Sequence, residues 1–178
     1  MNKLLLTLTA ILLFMTTVKA QEGFNLGIVA GFPFEPREQY TFSVGIDTGY
    51  LFALGEKVDV GMMTGYLHSF GMKDPGYEVE DFQYIPLAAA VRLNLNKFTA
   101  GLDIGYAHVL NENANGTFYA KPHVGFNINE RIQLHFSPRF LIYGGTGDGT
   151  LDHNGDDFSY DGFDGTYIIF AIGGNFNI

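Results

Sequence analysis

The chain has 178 residues and a formal net charge of −9, from 10 Lys and Arg against 19 Asp and Glu. That acid excess excludes a nucleic-acid binder, which needs a basic face. There is no cysteine, so no disulfide supports the fold, and beyond residue 20 no apolar run approaches the roughly 18 residues of a spanning helix, which excludes a helical membrane protein.

The N-terminus reads as a secretory signal. Lys3 supplies the basic start, Leu4 to Met15 the apolar centre, and Val18-Lys19-Ala20 the small-residue ending of a cleavage site. Residues 1–20 are therefore expected to be removed, with Gln21 starting the mature chain and no cysteine there for a lipid anchor. Residues 21–178 carry 8 basic and 19 acidic side chains, a charge of −11, once Lys3 and Lys19 are taken away. Their length suits one domain.

Eight segments of that domain alternate with period two, as strands with one apolar face do. In chain order the apolar faces begin with Phe24, Leu26, Ile28, Ala30 and Phe32, followed by Tyr40, Phe42, Val44, Ile46, Thr48, Tyr50 and Phe52. The third segment shows Val58, Val60, Met62 and Tyr66; the fourth Ile85, Leu87, Ala89, Val91, Leu93 and Leu95. Then come Phe98 to Tyr106, Phe118 to Ile128, Ile132 to Ile142, and a last segment from Ile168 to Ile178. The intervening residues are mostly Gly, polar or charged.

Three features favour a barrel in lipid over a sandwich or lipocalin-like barrel in water. The charged and bulky polar residues share a face with glycines, as a narrow interior demands. Aromatics gather near strand ends, from Phe24, Phe32 and Tyr40 through to Phe176, as two interfacial girdles would. Connections alternate between short turns, near 54–57, at Asn96-Lys97 and at Asn129 to Arg131, and longer loops at Pro33 to Gln39, Ser69 to Asp81, Asn111 to Thr117 and Gly144 to Gly165. Outer-membrane barrels have this asymmetry, with strands of about nine to eleven residues. The expected fold is all-β: an eight-stranded antiparallel up-and-down transmembrane β-barrel in the bacterial outer membrane.

One stretch carries a family resemblance. Phe82-Gln83-Tyr84-Ile85-Pro86-Leu87, an alternating strand, a tight turn and Gly101-Leu102-Asp103-Ile104-Gly105-Tyr106 together resemble the PorT-like outer-membrane β-barrel family, whose middle strand starts with an aromatic or acid before Ile-Pro-Leu. The last strand looks like a barrel-assembly signal, with Ile178 where Phe is usual. The resemblance implies fold and location, not a single role.

On the inward face, Asp47, Asp59 and Asp103 balance Arg92, Lys121 and Arg139, which predicts an ion-pair network filling a lumen too narrow to conduct. A two-residue turn at Asn96-Lys97 sets Arg92 opposite Gly101 and diagonal to Asp103. Pairing Ile128 with Ile132 sets Lys121 opposite Arg139, a repulsion that needs an acid, with Asp103 the candidate. Gly105, facing inward, is expected to accept Ser, whereas Ile104, facing lipid, is not expected to accept Arg.

The histidines bear on an alternative function, a lipid-modifying hydrolase or acyltransferase using His, Ser and an acid. His68-Ser69 and His108 lie near strand ends, and His123 and His135 face inward, with no Ser, His and acid converging at one level. In loop 144–165, Asp152, Asn154 and Asp156 have the spacing of early EF-hand ligands, but Gly155 is misplaced and no closing Glu follows. Loose divalent-cation bridging to lipopolysaccharide phosphates competes there with a merely solvated acidic loop. No catalytic, cofactor or metal residue is assigned. The expected function is a non-enzymatic, monomeric surface barrel, structural or binding through its loops, whose partners are outer-membrane lipid, lipopolysaccharide and the barrel-assembly machinery.

Overall fold

A computed structural model describes residues 23–35, 39–74, 77–111, 116–143 and 165–177. The expected signal segment, the acidic stretch 144–164 and the terminal Ile178 lie outside them. The strands are β1 (Gly23–Glu35), β2 (Tyr40–Ala53), β3 (Val58–Gly71), the two-residue β4 (Lys73–Asp74) and β5 (Tyr77–Glu78), β6 (Phe82–Leu95), β7 (Phe98–Val109), β8 (Thr117–Asn127), β9 (Ile132–Ile142) and β10 (Thr166–Asn177). Eight of them close in the order β1-β10-β9-β8-β7-β6-β3-β2, all neighbours antiparallel, while β4 and β5 form a small hairpin in the loop after β3. Closure leaves no unpaired strand edge.

Alternation places the side chains as the sequence pattern requires. Ile28, Phe32, Leu87, Ile104, Val124 and Ile172 stand on the outside, and Asn25, Asp47, Arg92, Asp103, Lys121 and Arg139 are buried inside. The outward residues form an unbroken apolar belt around the barrel, far larger than a water-soluble monomer exposes, so hydrocarbon is its solvent. Aromatic pairs mark both rims: Tyr50–Phe52 and Phe98–Phe126 at the short-turn end, with centroids 4.7 and 5.4 Å apart, and Phe42–Phe70 and Phe34–Phe170 at the other, at 4.4 and 5.2 Å.

Several strands run further than the apolar alternation suggested, β3 reaching Gly71 rather than Tyr66 and β1 reaching Glu35 rather than Phe32. Beyond the apolar belt the outward positions are mixed, as at His68 and Phe70, while backbone pairing continues. Tyr40 is also corrected: it points into the lumen, not to lipid, because Tyr40 pairs with Gly71 and Ser43 with Ser69, three residues against two. This bulge turns the strand's facing over by one residue.

The short turns set the register. Asn96 takes φ 56°, the left-handed conformation that Asn tolerates, so Leu95 meets Phe98 and Arg92 meets Gly101. Pro86 has no N–H to give the β3–β6 ladder, and the Thr64 hydroxyl donates to its carbonyl at 2.7 Å. Gly105 does not have the room expected of it. A Cβ there would sit 2.0 Å from the Leu87 carbonyl oxygen and 2.5 Å from the Ala88 Cα, so its inward side is closed by the neighbouring backbone.

Candidate functional site

The lumen is filled in layers that follow from which residue types occupy successive inward positions. At the long-loop end the filling is aromatic and aliphatic: Tyr40, Leu67, Phe82, Tyr84, Tyr119, Leu141, Tyr167 and Ile169 are buried together. The Tyr167 ring lies 5.4 Å from Tyr40, edge to face, and 4.6 Å from Phe82, while Tyr84 and Tyr119 are 6.0 Å apart. Ser43 and Ser69 share a hydrogen bond of 2.6 Å at this level. Of this layer the sequence pattern shows only Tyr119 and Tyr143 as lumenal fillers, because the inward face reads as mostly Gly, polar or charged. Its signal was present in Leu67, Leu141 and Ile169, large apolar residues at inward positions of β3, β9 and β10.

Below it lies the ionic layer. Arg139 grips Asp47 with both terminal nitrogens, at 2.7 and 3.2 Å, the two-pronged geometry that a guanidinium gives a carboxylate. Lys121 bridges the two acids, 3.2 Å from Asp47 and 2.7 Å from Asp103, and Arg92 Nη1 donates to Asp103. The pairs flanking Lys121 and Arg139 place them opposite each other, and Asp103 is the direct cross-strand partner of Lys121, as the register argument expected. The second acid between the two cations is Asp47 on β2. It comes from across the lumen, which no hairpin register reveals. Asp59 stands apart from the layer, accepting from Asn94 Nδ2 at 2.6 Å rather than pairing with a cation within the described residues.

The next layer is a stacked histidine pair, His123 and His135, with ring centroids 4.9 Å apart and planes 28° apart. His123 Nε2 lies 2.9 Å from Gln133 Oε1. Gln133 Nε2 in turn donates to Thr99 Oγ1 at 3.1 Å and Asn127 Oδ1 at 2.7 Å. From here the lumen widens into a polar vestibule of about 720 Å³ open at the short-turn end.

At the opposite rim, His68 and Ser69 do not act together. Adjacent strand residues face opposite ways: Ser69 is buried in the lumen against Ser43, and His68 is on the outside. His68 Nε2 is 2.9 Å from Asp81 Oδ2, its Nδ1 is 3.2 Å from the Tyr66 hydroxyl, and that hydroxyl donates to Gln83 at 2.7 Å. Asp81 also accepts from the Gly71 N–H at 2.9 Å, and chiefly this bond holds its carboxyl below the usual 3.8, with His68 adding to the effect. Asn111 Nδ2 donates to the Asp81 carbonyl at 2.6 Å. The cluster is a clamp joining the β3–β6 loop to the barrel wall, in which the hydroxyl beside the histidine is that of Tyr66 and not of Ser69. His108 is exposed on the outer face of β7. The acidic segment proposed for divalent cations, 144–164, is outside the described residues, and elsewhere among them no three His, Asp or Glu side chains group as metal ligands.

Charge is distributed along the barrel axis. Among the described residues the lumenal acids and bases balance, and at the short-turn end Glu56 and Glu130 stand against Lys57, Lys97 and Arg131. At the long-loop end Glu35, Glu78, Glu80 and Asp81 stand against Lys73, so the acid excess of the described residues lies there.

Closed eight-strand pairing, an apolar exterior and a plugged interior define a small β-barrel of the outer-membrane type. No family model and no curated protein matches the chain. Solved structures do. The N-terminal β-barrel domain of OprF from Pseudomonas aeruginosa superposes with a TM-score of 0.56 at 12% identity, over 89% of this chain and 98% of that one. The attachment invasion locus protein Ail of Yersinia pestis gives 0.52 at 10% identity, over 88% and 97%. A de novo designed transmembrane β-barrel gives 0.52 at 10% identity, over 88% and 95%. At such identities the likeness is one of fold.

Proposed function

We propose that this chain is a non-conducting, non-enzymatic outer-membrane barrel that presents acidic loops at the cell surface, in a structural or binding role. The observation that carries the reading is the combination of a lumen sealed by an aromatic and an ionic layer with an acid excess, among the described residues, at the long-loop end. A sealed eight-stranded barrel leaves transport to other proteins and leaves its loops as the working surface. Surface attachment is named for one protein of like fold, Ail, and the acidic loops would serve a comparable purpose here. Outer-membrane lipid surrounds the belt, lipopolysaccharide lies beside the loops, and the barrel-assembly machinery inserts a chain that then works as a monomer. The Phe82 to Leu87 segment supports a PorT-like affiliation.

The test is electrical. Purified protein in planar bilayers should give no steady conductance, and stable open channels would make a porin the correct reading.

A further inference from the structure

The vestibule at the short-turn end is a blind pocket of about 720 Å³, closed at its inner end by the ionic and aromatic layers, so what enters it must leave the same way. Of the five charged residues that line it, Lys97, Glu130 and Arg131 are exposed at the mouth, and only Asp59 and Arg92, direct cross-strand neighbours on β3 and β6, are buried in its depth, at 9% and 5% exposed. Asp59 Oδ2 is satisfied by Asn94, but Oδ1 is buried without a partner. Arg92 makes both of its hydrogen bonds through Nη1, to the Val91 carbonyl and to Asp103, and its other nitrogens are engaged by nothing among the described residues. An unfilled acceptor thus stands beside unfilled donors. A buried carboxylate oxygen left in that state costs free energy, which a ligand hydroxyl would recover.

We propose that this vestibule is a binding site for an uncharged saccharide, with neighbouring hydroxyls donating to Asp59 and accepting from Arg92. Each hydroxyl both donates and accepts, and so do the carboxamides of Asn94, Asn127, Gln133 and Asn175 along the wall. A free anion would meet Asp59 and a free cation Arg92, so a neutral polar ligand fits better than either. Leu51 and Met63 offer apolar surface to a sugar's C–H face. An extended peptide would seek a strand edge, and the closed barrel has none at this mouth. The site faces the compartment of the short turns and is independent of any surface role of the loops.

The experiment is a titration of the full folded chain in micelles, followed by amide chemical shifts at Asn94, Thr99, Gln133 and Asn175. The probes are N,N′-diacetylchitobiose, an uncharged N-acetylglycine methylamide, and inorganic phosphate. We expect saturable shifts from the disaccharide alone, with Kd near 1 mM, weakened about tenfold in Asp59→Asn because the new amide keeps its oxygen toward Asn94 Nδ2 and puts an N–H donor where the free acceptor was. Shifts only with phosphate, or stronger with the diamide, would overturn the assignment, as would no saturable shift with any probe. If Asp59→Asn does not fold, the wild-type titration decides alone.

Discussion

The ionic layer makes a quantitative claim about Asp47. Asp47→Asn keeps the side-chain shape and removes the charge that separates two facing cations, Arg139 at 2.7 Å and Lys121 at 3.2 Å. After the change Lys121 retains Asp103, but Asp103 is already shared with Arg92, and Arg139, fully buried, keeps no carboxylate. Leaving a buried charge uncompensated costs about 3–5 kcal/mol. Arg92→Leu should cost less, about 1.5–3 kcal/mol, because Asp103 still holds Lys121 at 2.7 Å and is not left unpaired. Replacing Asp47 and Arg139 together by Leu removes one charge of each sign and should be milder than Asp47→Asn alone, a coupling that a double-mutant cycle measures. The assay is equilibrium folding into lipid vesicles against urea, read by the gel-mobility shift of unboiled samples, since the chain has no Trp to report by fluorescence. A cost below about 1 kcal/mol for Asp47→Asn would mean that water reaches the layer and that the plug is not dry, and a greater cost for Arg92→Leu than for Asp47→Asn would mean that Lys121 alone does not compensate Asp103.

Ile104→Arg, on the lipid side of β7, should cost about 2–4 kcal/mol in the same folding assay. Gly105→Ser should also be destabilising, because its Cβ meets backbone at 2.0 Å; a neutral result would show that β6 and β7 can part locally. The Asp81 clamp predicts a pH effect. A carboxyl held below 3.8 stabilises the loop at all pH values above that figure and loses this as pH falls through its lowered value, so the Gly71 amide signal should stay fixed down to about pH 4 and shift only below it. A midpoint above 4 would remove the clamp. Protease added to intact cells should cut between Ser69 and Asp81 or within 144–165 and spare Asn96-Lys97, and cutting at that turn would invert the orientation.

Period-two alternation by itself determined the strand number, the lipid-facing side and the lumenal charges, because every inward or outward choice in a paired strand is fixed by parity. The short turns were equally legible: Asn96-Lys97 sets Arg92 against Gly101 and brings Asp103 within reach through local pairing alone. Parity fails wherever a bulge intervenes: alternation alone puts Tyr40 on the lipid face, and the irregularity between Tyr40 and Ser43 turns it into the lumen. Closure decided the rest. Asp47 joins Lys121 and Arg139 only because β2 curls round to face β8 and β9, and the tyrosine layer forms only because inward residues from strands far apart in sequence converge at one height. Hairpin register is a property of neighbouring strands. What meets across the lumen depends on the barrel's diameter and stagger, and those are set by all eight strands at once.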